Sequence, residues 1–303
     1  MPNNSSIGEK PITEVLFATS ALVATAGIAS ADVSLSGAAR MGLTHSDNAA
    51  GVTTDSETQF TSRVRITGSG STTTDGGIEL GASMRFDQDG GNADGTANGS
   101  SVVYASGAFG KVTFGDVGGA HGSATGDVAG VGFIGGWNEM DNYISTDKTA
   151  VGYSYSVNGL TVYAALGRFQ DNSNDDVTSF GASYTFNGIT VGVGTAEAGA
   201  VEDTAFAVSG SVAGIALKAS FLDKDGSAVD SESAVSASYT MDALTMTAFT
   251  RSVDNVTGVD LDYTGVGVSY NMGGDATLAA GYVDGGADGQ NLDTWDLGIN
   301  FSF

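Results

Sequence analysis

The sequence predicts an all-β fold: a sixteen-stranded antiparallel transmembrane β-barrel with its third loop folded inward. Three observations predict it. The last ten residues, TWDLGINFSF, put Trp295, Leu297, Ile299, Phe301 and Phe303 on one side of a period-2 strand and Asp296, Gly298, Asn300 and Ser302 on the other. The two prolines are Pro2 and Pro11, so the rest of the chain keeps every backbone N–H that a sheet without edges requires. Alternating segments recur to the end of the chain, joined in turn by short and long connections.

The elements follow in order. Residues 1–31 read as a secretory leader: one apolar run, VLFATSALVATAGIASA, too short for a spanning helix, ends at Ala29-Ser30-Ala31, a small-x-small cleavage site. Its n-region is unusual in holding Glu9, Lys10 and Glu14. Residues 32–303 form the pore domain. Val33-Leu35 through Met41-Leu43 begins it, Phe60-Val64-Ile66 marks the second strand, and Leu80, Ala82, Met84 and Phe86 the third. A fourth lies near residues 100–109; Val112 and Phe114 mark the fifth. The sixth carries Val151 to Val157, the seventh Leu160 to Phe169, the eighth Phe180 to Phe186 and the ninth Ile189 to Val193. Phe206, Ile215, Val235 and Leu244 open the apolar faces of the tenth to thirteenth. Val266 to Tyr270, Leu278 to Tyr282 and Trp295 to Phe303 complete the set.

The short connections include Asn158-Gly159 and Asn187-Gly188, the strongest of hairpin signals. The long ones are Asp/Gly/Asn-rich, near residues 46–56, 88–99, 118–147, 170–177, 198–203, 225–230, 254–258 and 284–292. Short turns at one end and long loops at the other, with an even strand number, is the plan of an outer-membrane barrel. The 272 residues after the leader give each strand plus connection an average of 17, enough for the ~9–11 residues that cross the hydrocarbon.

Charge narrows the function. The formal net charge of −24 becomes −23 without Glu9, Lys10 and Glu14. That excludes nucleic-acid binding, which needs basic stripes, and favours cations over anions. There is no Cys, hence no disulfide framework. No nucleophile, base and carboxylate fall into a catalytic arrangement, so the chain does not read as an enzyme.

A sixteen-strand barrel leaves an aqueous channel that something must narrow. The third loop, Gly118 to Asp147, is by far the longest; it carries Asp127, Glu139 and Asp141, with Phe133 and Trp137 as anchors. Arg40, Arg63, Arg65 and Arg85 lie on the first three strands, each out of phase with its apolar neighbours. They therefore point into the lumen, since lipid would cost ~2–4 kcal/mol for each near the midplane. Four guanidinium groups on one wall call for acids opposite, which the inward loop supplies; the seven residues together form the expected constriction. Asp87, Asp89, Asp94, Asp171, Asp175, Asp176, Asp284 and Asp288 crowd the other loops. Such loops suit Ca²⁺ or a divalent bridge to lipopolysaccharide, but no metal site or cofactor is assigned. His45 and His121 read as isolated loop residues.

With the leader running into DVSLSGAARMGL, TQFTSRVRI at 58–66, GAFGKVTFGDVGG at 107–119 and the terminal INFSF, the chain resembles the general diffusion porins of Gram-negative outer membranes, nearest the alphaproteobacterial, purple-bacterial type. The resemblance implies a homotrimer, passive transport of small hydrophilic solutes, and a constriction role for the four arginines. It also implies that Phe303 is the signal read by the barrel-assembly machinery. Two other classes share parts of the pattern. A secreted Asp/Gly-rich β-protein that binds Ca²⁺ would show equal nonapeptide-type repeats, and these segments are unequal. The other is an outer-membrane adhesin or enzyme barrel, and an enzyme would need a polar catalytic cluster at the rim, which the sequence does not show.

Overall fold

The computed structural model describes residues 32–47, 57–89, 96–135, 138–140, 142–146, 150–167, 176–287 and 293–303. The leader, Trp137 and Asp141 lie outside them, as do Asp94, Asp171, Asp175 and Asp288. Its strands are β1 (Asp32–Ser46), β2 (Glu57–Thr73), β3 (Glu79–Asp89), β4 (Thr96–Gly107), β5 (Gly110–Gly115), β6 (Ala150–Val157), β7 (Leu160–Gly167) and β8 (Val177–Phe186). They continue as β9 (Ile189–Ala198), β10 (Val201–Val212), β11 (Ile215–Asp225), β12 (Val229–Met241), β13 (Leu244–Asn255), β14 (Leu261–Gly273), β15 (Ala276–Ala287) and β16 (Thr294–Ser302). Among the described residues one helix, α1 (Ala120–Thr125), lies between β5 and β6.

Each strand pairs antiparallel with the next and β16 pairs with β1, closing the barrel. The outer surface is where the apolar phase goes. On β8 and β9, Ala182 faces Val193, Tyr184 faces Val191 and Phe186 faces Ile189, all on the outside. Phe60, at 87% exposure, would be indefensible in water and is at home in hydrocarbon. The tight turns form as their sequences require: Asn158 and Gly159 take φ of 49° and 83°, the paired positive values of a type I′ hairpin. At the seam, Gly37 N donates to Phe303 O at 2.7 Å and Phe303 N to Gly37 O at 2.9 Å. The Phe303 ring lies over Gly37, where any side chain would collide with it.

Some connections differ from the expectation. The loop expected at 198–203 is two residues, 199–200, and that expected at 225–230 is three, 226–228. The polar residues that suggested loops belong to strands: Asp203 points inward, fully buried, and pairs with Lys224 on β11. Asp87 and Asp89 likewise fall on β3, and Asp284 on β15. His45 is a β1 residue whose ring stacks on Trp295, 5.4 Å between centroids.

The buried core lies inside the barrel. Leu222, Ala234, Phe249, Tyr263 and Val283 turn inward and pack on Val128, Val131 and Met140 of the segment between β5 and β6. So the inner face is polar over much of its circumference and carries an apolar patch beneath part of that segment.

Candidate functional site

The segment between β5 and β6 runs inside the barrel. Thr146 Oγ1 donates to Val117 O and ties its two ends together. From there α1 crosses the inner face of β8 and β9, with Ala120 N donating to Ser179 Oγ at 2.9 Å. The wall is hollowed to receive it. A side chain at Gly181 or Gly192 would collide with the carbonyl of Ala120 or Ala124, and one at Gly194 with His121. Beyond α1, Gly126 O accepts from Ser220 of β11 and Ala129 N donates to Ser236 of β12.

The tip has a second seat. Gly281 faces Gly132, and Gly42 and Gly298 face the Phe133 ring, which is 3% exposed. Asp296 of β16 accepts from two successive amides, Phe133 N at 3.0 Å and Ile134 N at 3.1 Å. Asn300 Nδ2 donates to Phe133 O at 2.8 Å. On the return, Asn138 Nδ2 donates to Val128 O at 2.6 Å and Met140 N to Asp127 Oδ1 at 2.9 Å, pinning the two arms together. Phe133 is thus the anchor its position suggested.

The four arginines point inward. Arg40 and Arg63 face each other in register on β1 and β2, with Arg65 opposite Ala38 and Arg85 opposite Thr67. The loop tip reaches this stretch of wall at β1, where Arg40 Nη1 donates to Ile134 O at 3.4 Å. Arg65 forms a two-pronged bond to Asp87, at 2.9 and 2.8 Å, and Arg85 Nε comes within 3.2 Å of the same carboxylate. Asp87, expected in a rim loop, is therefore a wall acid that shares these two cations.

Asp127 and Glu139 are exposed and border one cavity of about 570 Å³ with Asp116, Ser123 and Tyr143. Burial pushes the Tyr143 phenol up to about 12, so it stays a neutral hydrogen-bonding group, 2.7 Å from Thr125 Oγ1. Lys218 of β11 lies beside Gly126. The arrangement is a lumen with guanidinium groups on one wall and carboxylates on an inserted loop, a shape that sorts solutes by size and charge.

Two things escaped the sequence reading. One is the glycine seats; inward-phase glycines on adjacent strands, such as Gly181 with Gly194 and Gly267 with Gly281, were the available signal. The other is the apolar inner wall, signalled by apolar residues in both phases at Phe221-Leu222 and Tyr282-Val283.

Comparison with known proteins places the barrel in a family. Residues 18–290 match the family described as Gram-negative porin. The porin of Rhodobacter capsulatus is 29% identical over 313 aligned residues, covering 90% of this chain and 100% of that protein. Two solved structures, both mutants of the Rhodopseudomonas blastica porin, superpose with a TM-score of 0.75. Each covers 90% of this chain and 100% of its own, at 20% identity, and so speaks to the fold.

Proposed function

This chain belongs to the Gram-negative porin family and is a channel barrel of the outer membrane, and on that premise we propose that it passes small hydrophilic solutes and ions by passive diffusion, with a preference for cations. The constriction is bounded by Arg40, Arg63, Arg65 and Arg85 on the wall and by Asp127, Glu139 and Asp141 on the inserted loop. The observation that supports this reading is the seating of that loop: its tip is bonded to Asp296 and Asn300, so the segment that carries the acids runs inside the barrel. The net charge of −23 without the leader supports the sign of the preference.

The working unit is a homotrimer in contact with outer-membrane lipid and lipopolysaccharide. It reaches the membrane after loss of residues 1–31 and engages the barrel-assembly machinery through Phe303. Recording in a planar bilayer tests the central claim. Purified protein should give stepwise current increments, and in a salt gradient the reversal potential should carry the sign of cation preference. A protein that inserts without current steps refutes the channel; a monomer by light scattering in mild detergent refutes the trimer.

A further inference from the structure

Two ion pairs of the wall meet one short stretch of the inserted loop. On β10 and β11, Asp203 and Lys224 face each other across the ladder, Nζ to Oδ1 2.5 Å. On β12 and β13, Glu232 accepts from Arg251 Nε at 2.5 Å. All four are buried, Asp203 and Glu232 completely. Both pairs also hold the loop's main chain. Ile144 N donates to Asp203 at 2.7 Å, and Lys224 donates to Asn142 O at 2.6 Å. Asn142 N and Nδ2 donate to Glu232 Oε2 at 3.3 and 3.0 Å. His121 of α1 brings Nε2 within 3.3 Å of Asp203 and its ring edge-on to Tyr143, so α1 and the return arm meet at one carboxylate.

Stability alone does not account for these charges. A buried ion pair often contributes less than well-packed apolar residues of the same volume. This wall accepts such residues, since Leu222, Ala234 and Phe249 are its immediate inward neighbours. The charges occur where loop amides and a carbonyl require partners out of water, and polar networks of this kind specify position. The position they specify matters. The gripped residues, 142–144, directly follow Asp141 and come three after Glu139, and Met140 in between is bonded to Asp127.

We propose that Asp203, Lys224, Glu232 and Arg251 are positioning residues for ion selectivity: by gripping the loop at Asn142 and Ile144 they hold the carboxylates of Glu139 and Asp127 at the water path. The inference rests on the channel reading above.

The test uses a substitution that conserves net charge and removes no charge from the water path. Glu232→Gln combined with Arg251→Gln should still assemble and conduct. Its cation-over-anion permeability ratio, from reversal potentials at ~0.1 M salt, should fall about twofold as the loop acids leave the path. Adding Glu139→Gln to that pair should then change the ratio less than it does in the wild type. A purely structural clamp would leave the two effects additive. Asp203→Asn combined with Lys224→Gln grips the same arm from the other side and should behave alike, so the question does not hang on one variant folding. Wild-type ratio, wild-type conductance and additivity in either pair variant overturns the proposal while leaving the channel intact. A wild-type protein without current steps overturns the channel itself.

Discussion

Removing the two described loop acids, Asp127→Asn with Glu139→Gln, should weaken cation preference by an amount that can be worked out. The asparagine keeps an oxygen to accept from Met140 N, so the loop's internal bond survives and only charge is lost. A unit charge ~7 Å from a passing ion acts on it in water with ~0.6 kcal/mol. A Debye length of ~10 Å at 0.1 M salt reduces this to ~0.3 kcal/mol. The sign is opposite for a cation and an anion, so each carboxylate lost lowers the permeability ratio roughly 2.7-fold, and the pair roughly sevenfold. At 1 M, where the Debye length is ~3 Å, the pair should change it by less than about 1.5-fold. Neutralising Arg63 should move the ratio the other way by about the single-charge factor. Reversal potentials across a salt gradient read all three values. A double variant with the wild-type reversal potential at low salt would refute the reasoning, because acids on the channel path cannot be electrically silent there.

Three further outcomes are expected. Deleting Phe303 removes both main-chain bonds to Gly37 and the ring over it, and should cut outer-membrane levels sharply; unchanged levels by immunoblot would contradict an assembly role. Mature protein from outer membranes should begin at Asp32 by N-terminal sequencing and intact mass, and a retained Met1 would remove the leader assignment. Leu222→Ala should cost ~2–5 kcal/mol, because that side chain is fully buried inside the barrel. The barrel-to-denatured shift on gels should then occur at lower temperature, and an unchanged transition would mean that the inner apolar cluster is not load-sharing.

The strands were legible because lipid imposes one rule on all of them: the phase carrying Phe180, Tyr184 and Phe186 must face outward, whatever the inside holds. The short turns were legible because Asn158-Gly159 needs no partner beyond itself. The lumen obeys no comparable rule. Asp203 looks like a loop residue in the sequence, and becomes a buried strand residue only once Lys224 and Ile144 come to it from elsewhere in the chain. Gly181 and Gly281 looked like ordinary strand glycines, because the main chain that occupies their missing side-chain space is remote in sequence. The arginines were readable in direction but not in partnership: Asp87, two residues beyond Arg85, lies on the same strand and not across the pore.

The Gly37–Phe303 seam has a topological consequence. The polypeptide has two ends, but the sheet has none, since every strand has neighbours on both sides and the first lies beside the last. The final ladder joins residues almost the whole chain apart, so its loop-closure entropy must be met after every local hairpin has already formed. Until then two unpaired edges remain open, and they are the exposed backbone on which one barrel could pair with another. Because the ends meet, the strand at which the chain starts is incidental to the finished cylinder. A chain opened at the Asn187-Gly188 turn and joined across the old termini would trace the same circuit from a different starting point.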